Sequence, residues 1–362
     1  RAALSVVLGG DAREAADTVC LAEAFAGSAA RAAAFLGHHG LSGWWHESIS
    51  AHGAVDEFAR QLKDALVCAR RAGTMLQLAQ ESAMRAVTHA LDVRGVRFVF
   101  LKAAAVRSEL YASPGLRPAT DIDMLVLPVD RFAAVEALRE IGATPWARQE
   151  ASAHEMAFRL GIVDIDLHWD LLAPGRLPGD VAAGVLQRRV SAAIGWRPDD
   201  TDVLFISLVH LAFAKHVCTA HAGLNRVADI WLALRLMAPD LTEIEHRLRE
   251  AGCAAAAWAS VTWILMLIEP ALAKRFDPTR PGGIEPSALS RLALRLRPQR
   301  PKDGYLTLWL RHDWPGRLLD RQQWLVQIAF SLFLHDSPGD ALRAIRHKLT
   351  RPNLSATAPD HA

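Results

Sequence analysis

Lysine is scarce in this 362-residue chain: six lysines stand against 35 arginines. A bias of that size reflects genome composition, and it makes each lysine a position to inspect. Net charge is only +2, so no global field argues for nucleic acid or an anionic membrane as partner. The cysteines are few (Cys20, Cys68, Cys218 and Cys253), with no CxxC pair and no zinc-like spacing. That pattern favours a reduced, cytoplasmic chain whose thiols serve as small core residues. No apolar run is long enough to span a bilayer. The longest, residues 254–267, closes at Glu269-Pro270 and reads as a buried helix. No charged-then-apolar leader is visible after Arg1, and there is no internal repeat or long low-complexity tract. The expectation is a soluble cytoplasmic protein.

What is present is ample core material, 51% hydrophobic against 22% charged residues, in a length that suits two domains. Charge is uneven: residues 286–351 hold twelve basic side chains against five acidic ones, a local charge of +7. Residues 1–37 are alanine-rich with helical spacing, and "GHHGLSGWW" reads as a loop. Residues 55–93 carry apolar positions at three- and four-residue steps, a long helix that Gly95 ends. "VRFVFLKAAAV" reads as a short buried strand entering a helix, and "TDIDMLVL" as a second strand closed by Pro128. Asp130 is the expected N-cap of a helix over 131–141, and Gly142 its stop. "EMAFRLGIVDIDLHWDL" reads as two strands in a hairpin around Gly161. Helices are expected again at 179–190, 201–221, 224–237, 241–250 and 254–273. A linker is expected at 278–303, then two or three more helices to 350. The result is a small α/β unit, roughly 90–172, embedded in helices.

The sharpest local feature is "RPATDIDMLVLP", which sets two aspartates inside a buried strand. Alternate strand residues share a face, so Asp121 and Asp123 point one way while Ile122 and Met124 point the other. Two close carboxylates repel and are costly to bury unpaired. The pattern recurs in "VDIDLHWDL", where Asp164, Asp166 and His168 share a face. On neighbouring strands such carboxylates suit Mg²⁺, a hard ion that binds through a few carboxylates and substrate phosphates. Plainer readings stand beside this one. The aspartates could pair with Arg117 and Arg107, Lys102 could snorkel from the core to solvent, and His168 could be a packing residue. Arg226 and Asp229, three apart on a helix, read as a local ion pair. His210, His216 and His221 share no helix stripe, which argues against zinc there. The basic C-terminal stretch lacks the aromatic interleaving that reads single strands.

Several of these stretches together resemble a known family. Leu101-Lys102, Tyr111, Arg117-Pro118, Asp121-Ile122-Asp123 and Asp166-Leu167-His168-Trp169 are similar to the poorly characterised bacterial nucleotidyltransferases of the DNA polymerase β-like superfamily. His210, His216 and Asp229 occupy matching places, and "LTRP" at 349–352 resembles the family's C-terminal end. The resemblance covers most of 60–352 and is strongest at 101–128. It implies an α+β fold, a small nucleotidyltransferase-type mixed β-sheet core flanked by N-terminal helices and a helical C-terminal domain. The expected divisions are 1–90 (N-terminal helices), 91–175 (the α/β core), 176–280 (a helical domain) and 281–362 (a basic helical region).

The activity implied is metal-dependent transfer of a nucleoside monophosphate from an NTP to an acceptor, using Mg²⁺ or Mn²⁺. Asp121, Asp123 and Asp166 would be the catalytic and metal-ligating residues, with Asp164 in reserve. Lys102, Ala103, Ala104, Arg117, His168 and Lys215 would bind the nucleotide. Where the close branch has Lys-Gly, this chain has Lys102-Ala103-Ala104, and a methyl group at 103 restricts positive φ. Members commonly accompany natural-product gene clusters, so a peptide or small metabolite is the expected acceptor. The alternatives are a non-catalytic nucleotide- or protein-binding member, transfer of a sugar or other group on the same metal site, and a toxin-type enzyme acting on tRNA.

Overall fold

A computed structural model describes residues 14–54, 56–113, 115–146, 154–172, 180–210, 224–254 and 335–349, with single positions at 4, 177, 257, 269 and 271. The helix expected over 55–93 is α4 (Glu57–Val93), 37 residues and roughly 55 Å long. Asp56 starts it by accepting the Ala59 N–H at 2.7 Å. At its end Gly95 takes φ +65° while the Val96 N–H returns to the Leu91 carbonyl at 3.0 Å. Before α4 come α1 (Glu14–Ala24), α2 (Ala29–His38) and α3 (Ser42–His52). The loop expected at "GHHGLSGWW" is therefore only a tight turn. From Ser42 the chain is helical, because Trp45 and Ile49, one turn apart, both bury against the core.

A five-stranded mixed sheet follows, built of β1 (Phe98–Phe100), β2 (Asp121–Val126), β3 (Thr144–Pro145), β4 (Glu155–Leu160) and β5 (Val163–His168) in the order β1-β2-β5-β4-β3. Only β2 and β5 run parallel; the other pairs are antiparallel. The β4–β5 hairpin turns at Gly161, φ +61°, as its sequence predicts. Between β1 and β2 lies α5 (Lys102–Leu110), and α6 (Arg131–Glu140) follows β2. Asp130 stands at the N-cap position of α6, but its side chain makes no cap bond, because a 3-10 turn over Pro128–Asp130 leads the chain in.

One face of the sheet, with Ile122, Met124, Ile165 and Leu167, packs on α4 and α6 around Val87, Leu91, Ala134 and Leu138. Each large side chain buried there contributes roughly 2 kcal/mol. Beyond the sheet lie α7 (Val181–Gln187), α8 (Asp200–Val209), α9 (Leu224–Leu236) and α10 (Leu241–Glu250), and later α11 (Pro338–Leu349). A second apolar cluster joins α2, α3 and α5 to α8, α9 and α10, taking in Val99 and Leu125 from the sheet. The N-terminal helices and the later ones thus share one core, over the face that carries the aspartates. An unexpected two-stranded hairpin, β6 (Val190–Ser191) with β7 (Trp196–Arg197), sits between α7 and α8.

Among the described residues no single helix is long and apolar enough to cross a membrane, though the bent pair Thr18–Ala24 and Ala29–His38 meets the length and composition together. Cys253 is a buried thiol, as expected, but Cys20 and Cys68 are exposed. Cys218, the expected linker at 278–303 and most of the basic C-terminal stretch lie outside the described residues.

Candidate active site

The carboxylates owe their meeting to strand register. Parallel pairing sets Asp121 opposite Asp164, Asp123 opposite Asp166 and Leu125 opposite His168. Antiparallel pairing then sets Glu155 opposite His168 and Arg159 opposite Asp164. Since opposed residues share a face, these acids and His168 line up on the side covered by α5, α8 and α9. Ligand atoms of Asp123, Asp166 and His168 all lie within 4.8 Å of one another. Asp121 is one step along β2 on the same face and outside that tightest trio. Asp164 turns instead to Arg159, which donates to it at 2.8 and 3.2 Å.

Asp123 is buried, and two donors land on its Oδ1: the Lys102 ammonium, and His168 Nε2 at 3.0 Å. Among the described residues no hydrogen bond reaches its Oδ2. Burial opposes the Asp123 charge, yet Lys102 and His168 outweigh it and hold the carboxyl far below the usual range. Its neighbours go the other way. Burial, with Asp123 and Asp121 close by, pushes Asp166 up to about 6. Burial and the Asp123 charge likewise raise Asp121, against the pull of Lys102. Three carboxylates with one ammonium among them are short of positive charge. A hard divalent cation fits that donor set, with Asp123 Oδ2 and Asp166 available to it.

Lys102 opens α5 in the left-handed region, φ +52°. Ala103, where the family's glycine would fall, lies buried in the first helical turn with no positive φ. The constraint expected at Ala103 is therefore borne one residue earlier, by the lysine itself. No side chain caps the N-terminus of α5, so the amides of Lys102, Ala103 and Ala104 open it unmet by any cap. A small cleft beside it is lined by Lys102, His168, Leu172, Ile206, Val209 and His210.

Arg117 is elsewhere engaged. Its Nε and Nη2 bind both oxygens of buried Asp229 at 2.7 to 3.0 Å, and Nη1 donates to the Pro118 carbonyl. Tyr111 donates its hydroxyl to the same carboxylate. Burial raises the Tyr111 phenol well above its usual range, reinforced by the Asp229 charge. Arg107 donates to Gln80 at 3.0 Å. So neither arginine pairs with Asp121 or Asp123, and the expected Arg226–Asp229 pair is replaced by a clamp from α5 and its following loop to α9. Arg226 instead donates towards His210 Nδ1 at 3.3 Å. Burial and Arg117 lower its guanidinium below the usual range, while Asp123, Asp229 and Asp121 pull it back up. It is a cation near the carboxylates that the sequence reading missed. Its i, i+3 spacing from Asp229 was the available signal, misread as a local pair. Lys215, His216 and His221 lie outside the described residues.

A family model described as "uncharacterised nucleotidyltransferase" matches residues 28–265, from α2 past α10. The chain belongs to that family. The match spans the sheet, the carboxylate row and the Tyr111–Arg117–Asp229 clamp together, so membership covers both the site and the helices that close over it. Among curated proteins none matches the chain significantly.

Proposed function

We propose that the chain transfers a nucleoside monophosphate from an NTP to a hydroxyl or phosphate acceptor on a peptide or small metabolite, at a centre formed by Asp121, Asp123 and Asp166. The observation that carries this reading is the register pairing of Asp123 with Asp166, under the uncapped start of α5. When bound, Mg²⁺ or Mn²⁺ supplies charge neutralisation and in-line alignment for phosphoryl displacement. Asp123 and Asp166 would hold it, with Asp121 adding charge from the same face. The amides of Lys102, Ala103 and Ala104 and the positive end of the helix dipole favour phosphate oxygens there. Lys102 can release Asp123 and offer its ammonium to the triphosphate, and Arg226 offers a second cation. His168 keeps Asp123 oriented. Asp166 is the third carboxylate of the centre, a ligand to the ion or the base that takes the acceptor's proton.

A labelled-NTP screen against candidate acceptors tests the reading, followed by product mass. Asp123→Asn and Asp166→Asn should each lower transfer roughly 100-fold or more. Transfer that survives both substitutions removes the proposed role of these carboxylates. A product heavier by a hexose would assign sugar transfer to the centre. NTP binding without turnover over a broad acceptor panel would favour the non-catalytic reading.

A further inference from the structure

Next to the carboxylate row the same sheet face holds a different set of ligands. We infer that His154, Glu155 and His168 form a second metal site, for a borderline divalent transition ion of the Zn²⁺ class, with His168 shared between it and Asp123. The ligand atoms of the three residues lie within 4.8 Å of one another. Glu155 Oε2 is 3.2 Å from His168 Nδ1 and 3.6 Å from His154 Nε2. In a tetrahedral site with metal–ligand distances near 2.0–2.2 Å, adjacent ligands stand about 3.3 Å apart. Two edges of that figure are therefore already drawn.

His168 supplies the independent observation. Its side chain is 8% exposed, and Nδ1 is buried without a hydrogen-bond partner although it faces Glu155. An ionised carboxylate only accepts, so Nε2 must carry the proton it gives to Asp123. Nδ1 faces a second carboxylate, Glu155, at 3.2 Å, so positive charge belongs between them, as a proton on Nδ1 or as an ion ligated by its lone pair, and the His154 ring beside them completes a ligand set for the ion. A metal-ligating histidine that donates its other ring N–H to a carboxylate is the usual support for such ions, because it fixes tautomer and ring direction. Two imidazoles and one carboxylate select zinc-like ions over Mg²⁺, which prefers oxygen alone. Glu155 and His168 are opposed in register on β4 and β5, so the ion would pin those strands and hold His168 against Asp123. At 37% exposure the Glu155 side chain lies towards solvent, which leaves a coordination position for water.

The test uses the full chain stripped with a chelator, then titrated with Zn²⁺ and, for its visible spectrum, Co²⁺, both in a large excess of Mg²⁺. One ion per chain should bind, with Co²⁺ bands of nitrogen–oxygen ligation. His154→Ala and Glu155→Gln should each weaken binding by at least roughly tenfold, whereas Asp166→Asn should leave it nearly unchanged. Glu155→Gln keeps size and shape, so it decides the matter should His154→Ala fail to fold by circular dichroism. The inference is overturned if Mg²⁺ suppresses Zn²⁺ binding, or if affinity falls with Asp166→Asn and not with Glu155→Gln.

Discussion

A lysine at φ +52° sits in a basin that costs an L-residue roughly 1–2 kcal/mol. At Lys102 that cost is offset by the ion pair its ammonium makes with Asp123. The backbone and charge contributions can be separated. Lys102→Gly and Lys102→Ala both remove the ammonium, but only glycine accepts the left-handed backbone without penalty. The glycine variant should be the more stable by about 1 kcal/mol in urea unfolding, the reverse of the order in an ordinary helix. Equal stabilities would mean that Lys102 is not left-handed in solution. His39 offers a pH test away from the site. Burial, aided by His38, lowers its imidazole from 6.5 to about 4. The folded state therefore resists a proton that the unfolded state accepts, and stability contributed by the neutral ring is lost as pH falls from about 6.5 towards 4. Melting temperature of His39→Gln should decline less than that of wild type over that window.

At the scale of elements, period and register made the sheet legible. Asp121, Asp123, Asp164 and Asp166 alternate with apolar residues in the sequence, and a two-residue period admits one assignment of faces. Helix α4 was legible for the same reason at 3.6 residues. Helix α3 was hidden by Gly37, Gly40 and Gly43, which read as loop although Gly43 lies inside the helix. Its reason is contact: a β-carbon on Gly43 would run into the backbone carbonyl of Gly115. Gly43→Ala should cost about 1–3 kcal/mol by overpacking, measured by chemical denaturation, with Gly73→Ala inside α4 as a comparison where the added carbon meets only an ordinary contact with Pro118. The β6–β7 hairpin was not legible, since strands of two residues carry no period to detect.

The whole molecule is held together by pairs that no local window contains. Asp229 lies 112 residues from Arg117 and 118 from Tyr111, so a reading by neighbours assigned it to Arg226 instead. Two of the residues that carried the family resemblance, Tyr111 and Arg117, thus fasten α9 to the end of α5 and the loop that leads into β2. Arg117→Met should lose about 3–5 kcal/mol, because it leaves a buried carboxylate unpaired. Tyr111→Phe should lose nearer 1.5–3 kcal/mol, the worth of a hydrogen bond to a charged group. Both are read from urea midpoints at unchanged m-value. Asp202 does similar work, fully buried between Arg188 and Arg247. The candidate site was legible as far as its strands; its roof was not, because a roof is made by distant residues closing over the face.

The side-by-side placement of β2 and β5 has an evolutionary consequence. Loops such as the one joining β1 to β2 through α5 can be lengthened or cut while the acids stay opposed. One residue added or lost within either strand would turn every side chain beyond it through half a turn. Asp123 or Asp166 would then drop into the oily interior and Ile122 or Leu167 would surface in its stead. Insertions and deletions among functional descendants should therefore cluster outside 121–126 and 163–168.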